Sequence, residues 1–131
     1  PIVYWGTLLS SIAIIGLALF WRRREYKHAD VFDLSLAVLS FTIASPVAWE
    51  HHYGILLPIF AVALPATLGI YDLKKRGIIL LVLTFFLSSN FFQFTDKTAA
   101  TYFNFLQSYL FFGAVILLFY LYRLRHKVKN V

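Results

Sequence analysis

Glu50-His51-His52 is the first place in this chain where chemistry could be done. A carboxylate and two imidazoles sit together between two long apolar runs, preceded by Ser45-Pro46-Val47-Ala48-Trp49 and followed by Tyr53. Ionisable groups at the edge of an apolar medium cost free energy, so they mark a candidate site. The residue types leave three uses open. A metal site would need converging ligands, but adjacent helical residues point about 100° apart, and the His-x-x-x-His spacing that shares one ion on a helix is absent. A proton relay could use the carboxylate and an imidazole near neutral pH, although no charged residue sits in the middle of any apolar run. Anion handling suits a helix beginning near His52, because helix N-termini present free N–H groups and a positive dipole end. Trp49 and Tyr53 could stack on a sugar ring or anchor the chain at an interface.

The elements that must hold this cluster are apolar. The chain of 131 residues is 60% hydrophobic, 19% aromatic and only 14% charged, against about 25% charged in an average soluble domain. The apolar residues come in long blocks, which predicts an all-α, polytopic integral membrane bundle. Five transmembrane helices are expected, at about 2–21, 31–45, 52–71, 78–92 and 103–122. Asp30 is the expected N-cap of the second, with Asp33 in its first turn. Pro46 ends that helix at Ser45. Pro58 and Pro65 are expected to interrupt the third.

The net charge of +6 follows topology better than nucleic-acid binding, because the aromatics lie inside the runs and are not interleaved with the cations. Eleven of the twelve Lys and Arg fall on one side of the five runs: Arg22, Arg23, Arg24 and Lys27, then Lys74, Lys75 and Arg76, then Arg123, Arg125, Lys127 and Lys129. Lys97 alone falls on the other. The positive-inside rule makes the C-terminus cytoplasmic and the Glu50–His52 loop periplasmic or lumenal. There is no cysteine and no methionine. Thiolate chemistry is thereby excluded, and residues 1–131 are expected to be the C-terminal transmembrane portion of a larger protein. No phosphate-cradling glycine loop and no Gly-x-Ser-x-Gly elbow is present.

The run Ser45-Pro46-Val47-Ala48-Trp49-Glu50-His51-His52-Tyr53, followed by Leu56-Leu57-Pro58, resembles the Ser-Pro-x-x-Trp-x-His-His segment with a following Leu-Leu-Pro in glycosyltransferase family 87. That resemblance implies a GT-C type fold in a bacterial plasma membrane. It also implies a polyprenyl-phosphate sugar donor, typically mannose, and transfer with inversion to a glycan or glycolipid acceptor on the outer face. The lipid-linked sugar is a substrate, and no cofactor and no metal are implied. Trp49, Glu50, His51, His52 and Tyr53 become the expected substrate-binding residues, with His51 or His52 donating to the lipid phosphate. The general base is expected upstream of this stretch, so no catalytic residue is expected within residues 1–131. A transporter or lipid flippase module is the alternative, carried by the proline-interrupted third run, and a non-catalytic membrane scaffold is a third reading.

Overall fold

The computed structural model describes residues 2–20, 29–45, 50–89 and 108–128. They form five α-helices: α1 (Ile2–Phe20), α2 (Ala29–Ala44), α3 (Leu56–Gly69), α4 (Lys74–Ser88) and α5 (Tyr109–Val128). Two short 3-10 helices, Glu50–Ile55 and Tyr71–Leu73, flank α3. No strand occurs among the described residues, and the chain is all-α as its composition predicts.

Successive helices run antiparallel. Ser11 Oγ donates to the Ala44 carbonyl at 2.8 Å, joining α1 to the end of α2. Thr67 near the end of α3 meets Gly77 near the start of α4. At the other end of the same pair, the Phe60 and Phe85 rings stand edge to face at 5.7 Å. α5 is central: it packs on α2, α3 and α4, whereas α1 packs chiefly on α2. Leu39 of α2 and Leu117, Leu121 and Leu124 of α5 are fully buried at the heart of the bundle.

Several boundaries differ from the sequence expectation. The third run is not one helix from 52 to 71. It opens as a 3-10 helix, and α3 begins only at Leu56. Pro58 therefore sits in the first turn of α3, where its missing N–H has no helical partner to lose. Only Pro65 is inside the helix, which continues through it to Gly69. The connection expected at Asp72–Gly77 is shorter than that. Ile70 and the Tyr71–Leu73 turn suffice, and Lys74-Lys75-Arg76, good helix formers, already belong to α4. Asp30 is not the N-cap of α2, because the helix starts at Ala29 and Asp30 lies in its first turn. Finally, α5 runs on to Val128 and not 122, taking Arg123, Arg125, His126 and Lys127 into its last turns, where cations complement the helix dipole.

Among the described residues no helix is long and apolar enough to cross a membrane. α2, α3 and α4 have 16, 14 and 15 residues. At 1.5 Å per residue they reach about 21–24 Å, against about 30 Å of hydrocarbon. α1, with 19 uncharged residues, reaches about 28 Å.

The outer surface of the bundle is nonetheless apolar, as its core is. Large apolar side chains face outward on every helix, among them Leu9 and Ile12, Leu34 and Phe41, Leu57 and Leu64, Ile79 and Phe86, and Phe119, the last 70% exposed. Hydroxyls face inward: Ser40, Thr67 and Thr84 are fully buried. Ser35, Thr42, Thr67, Thr84 and Ser88 each donate to the carbonyl four residues back, at 2.6–3.0 Å, so these five hydroxyls are satisfied within their own helices. Small residues let backbones approach closely. A side chain at Gly113 would meet Leu87 Cβ at 3.0 Å and Ser88 Oγ at 3.1 Å, the close helix contact that small residues permit.

Candidate functional site

The Glu50–Ile55 3-10 helix links α2 to α3 and touches α2, α3 and α5. Trp49 lies outside the described residues, and so do the side chains of Glu50, His51 and His52. Their backbone is described. A 3-10 helix has three residues per turn, so positions 51 and 52 fall on different faces of the segment and position 50 falls in register with 53. Adjacent histidine positions about 120° apart are a poor basis for one metal ion. Among the described residues no group of three His, Cys, Asp or Glu could hold one.

Tyr53 is half-buried and packs against the core. Together with Gly54, Phe60, Phe85, Ser88 and Ser89 it lines a cavity of about 310 Å³ beside the 3-10 helix. The interior is apolar and edged by the Phe60–Phe85 pair. Its polar groups are hydroxyls whose protons are already committed: Ser88 Oγ donates to Thr84 O at 2.6 Å and Ser89 Oγ to Phe86 O at 2.7 Å. Each serine oxygen therefore faces a ligand as an acceptor. The cavity suits a molecule with an apolar body and hydroxyl donors near one end.

Two polar centres deeper in the bundle were not expected from sequence. At the opposite end of α2 from the 3-10 helix, Arg125 Nη2 lies 2.6 Å from Asp33 Oδ1, with exposures of 7% and 27%. These residues and Asp30 line a cavity of about 340 Å³ between α1, α2 and α5. Asp33 is thus an ion-pair partner and not the expected first-turn acid, because α2 starts at Ala29 and only Asp30 lies in its first turn. The signal was present in α5, where Leu117, Leu118, Leu121, Leu124 and Arg125 form one buried stripe, the i, i+3, i+4, i+7 spacing of a core face. The second centre joins α3 to α5. Thr67 Oγ1 donates to Ala63 O at 2.7 Å and lies 2.6 Å from the Tyr120 hydroxyl. A threonine has one proton to give, so Tyr120 is the donor of the pair.

The chain matches no protein-family model, no curated protein and no solved structure.

Proposed function

We propose that this chain is part of a membrane glycosyltransferase of the GT-C type, moving a sugar, mannose by resemblance, from a polyprenyl-phosphate donor to a glycan or glycolipid acceptor on the periplasmic face. The observation that carries this reading is that Tyr53, Gly54, Leu56 and Leu57, within the Ser45–Pro58 motif, line the cavity beside the 3-10 helix. A polyprenyl-phosphate sugar has an apolar tail, an anionic phosphate and a hydroxyl-rich ring. The aromatic floor suits the first isoprene units, the serine oxygens accept from sugar hydroxyls, and His51 or His52 serves as donor to the phosphate. The acceptor oxygen attacks the anomeric carbon, its bond to phosphate breaks, and the lipid phosphate departs with the electron pair. Preorganised donors at that departing oxygen are worth two to three orders of magnitude in rate. The acceptor's proton goes to a general base, for which residues 1–131 offer no assigned candidate.

The apolar outer surface supports a membrane setting, because exposed apolar faces of this extent mark a membrane or a partner surface. Helices shorter than the hydrocarbon are accommodated by local thinning and by snorkelling of flanking Lys and Arg. In sequence order, eleven of the twelve cations fall in the connections and tail on the opposite side of the apolar runs from the His-His segment, which supports an outward-facing site.

Replacing His51 and His52 singly by Ala in the full-length protein is expected to lower transfer from a labelled polyprenyl-phosphate sugar by about a hundredfold in at least one variant. Undiminished transfer in both removes these residues from the site. A second variant probes the cavity. An added Cβ at Gly54 meets nothing within 4 Å, so Gly54→Phe is expected to fold, fill the cavity and raise KM for the lipid donor with little change in kcat.

The discontinuity at Glu50–Ile55 also favours a transporter or flippase reading, since interrupted helices line transport sites. Movement of lipid-linked sugar across sealed vesicles without transfer to an acceptor is the outcome that selects it.

A further inference from the structure

At the basic end of the bundle, remote from the 3-10 helix, α2, α3 and α5 enclose a groove of about 420 Å³. Its lining is wholly apolar and includes Phe32, Val62, Pro65, Gly69, Ile70 and Val128. The size lies within the roughly 300–1,000 Å³ of small-molecule sites. Cations neighbour its lining residues along the chain. The Lys74 N–H donates to the carbonyl of the lining residue Ile70 at 3.0 Å, and Lys127 directly precedes the lining residue Val128. Three acids share this end. Asp33 is taken by Arg125 at 2.6 Å, Asp72 stands 4.0 Å from Lys127 Nζ, and Asp30 is exposed beside Val31. Lys74, Lys75, Arg76, Arg123 and Lys127 leave this end of the bundle positive.

The first turn of α4 adds to this. It contains Lys74, Lys75 and Arg76, no acid, and no side-chain cap. Cations at a helix N-terminus oppose the dipole, and an anion placed against them relieves the conflict. A free phosphate would gain from the rim but not from the groove. A neutral apolar solute would gain from the groove but not from the rim. We infer that the groove binds an anionic phospholipid of the cytoplasmic leaflet, with one acyl chain between Phe32, Pro65 and Val128 and its phosphate on Lys74 and Lys127. Basic rims on the cytoplasmic side of a helix bundle are suited to such headgroups. The inference rests on the membrane reading proposed above, and not on the glycosyltransferase assignment.

The test is lipid retention by the full chain, extracted from membranes in mild detergent, with phosphatidylglycerol and phosphatidylcholine of matched chains compared by native mass spectrometry. The wild type is expected to keep one phosphatidylglycerol in preference to phosphatidylcholine. An added Cβ at Gly69 meets nothing within 4 Å, so Gly69→Trp is expected to fold and to lose both lipids. Lys74→Gln with Lys127→Gln keeps the groove and is expected to reduce the preference for phosphatidylglycerol roughly thirtyfold, the effect of two cations near a charged surface. Equal retention of the two lipids by the wild type, retention unchanged in Gly69→Trp, or a co-purifying protein in place of lipid each overturns the inference. Alkaline carbonate extraction separates the two levels of failure. A chain released by carbonate overturns the membrane reading and this inference with it. A chain that stays in the membrane and shows no lipid preference overturns only the inference.

Discussion

Asp33→Leu destabilises the bundle by about 3–5 kcal/mol, the cost of stripping a buried charge of its partner. Arg125 is 7% exposed and holds Asp33 at 2.6 Å, so removing the carboxylate leaves a buried guanidinium beside Ala18, Leu19, Leu34 and Ala37, with only the exposed Asp30 on the same cavity. The reverse change is milder. Asp33 is 27% exposed against 7% for Arg125, so water reaches the carboxylate more readily than the guanidinium. Arg125→Met is therefore expected to cost about 1–3 kcal/mol, the range for a polar group left without its partner. The double variant Asp33→Leu/Arg125→Met is expected to recover most of the loss, because well-packed apolar replacements of buried ion pairs are often neutral or stabilising. Unfolding in detergent by SDS titration, followed by helical circular dichroism, reads all three. A double variant less stable than Asp33→Leu alone would refute the ion pair as the source of the effect, since coupling between contacting residues must appear in the cycle.

The same pair shows where sequence reasoning reached its limit. Long apolar runs made the five helices legible, and the α1 and α2 boundaries fell within two residues of Ile2–Phe20 and Ala29–Ala44. Apolar content cannot see where a polar residue joins a helix, because a charged first or last turn ends a hydropathy block without ending the backbone ladder. That is why Lys74–Arg76 and Arg123–Lys127 were read as connections and tail when both are helical. Pro58 misled for a related reason: proline breaks a helix interior but is welcome in a first turn, and the sequence alone did not say which it was. Contacts over long separations were illegible altogether. Asp33 and Arg125 stand 92 residues apart, and nothing in their spacing pairs them. For the candidate site, Tyr53 is the one of the five expected binding residues whose side chain is described, half-buried beside the cavity. The roles of Ser88, Ser89 and Phe85 depended on α4 folding back antiparallel on α3, which is a property of the bundle and not of the motif.

Gly77 carries the second large effect. A side chain there would run into the Tyr120 hydroxyl, with Thr67 Cγ2 at 2.5 Å and Tyr120 Cζ at 3.1 Å. Neither neighbour can yield cheaply. Thr67 is β-branched and stiff at χ1, and its hydroxyl is tied to Ala63 O at 2.7 Å. Tyr120 is held by its 2.6 Å hydrogen bond to Thr67. The three residues come from α4, α3 and α5, so one misplaced methyl separates three helices at once. Gly77→Val is expected to cost about 3 kcal/mol, the upper part of the usual overpacking range. Gly77→Ala is expected to cost about 1 kcal/mol, because the gain of about 1 kcal/mol in helix propensity offsets part of the overpacking. The origin of the cost is tested by making room without removing the helix contact. Thr67→Ser deletes Cγ2 and keeps the hydroxyl; Tyr120→Phe deletes the colliding oxygen. Placed together behind Gly77→Ala, the two changes are expected to make the alanine neutral or stabilising relative to glycine in the same background, because only the propensity gain then remains. An alanine equally harmful in both backgrounds would show that Gly77 is required for its backbone and not for the space it leaves to Thr67 and Tyr120.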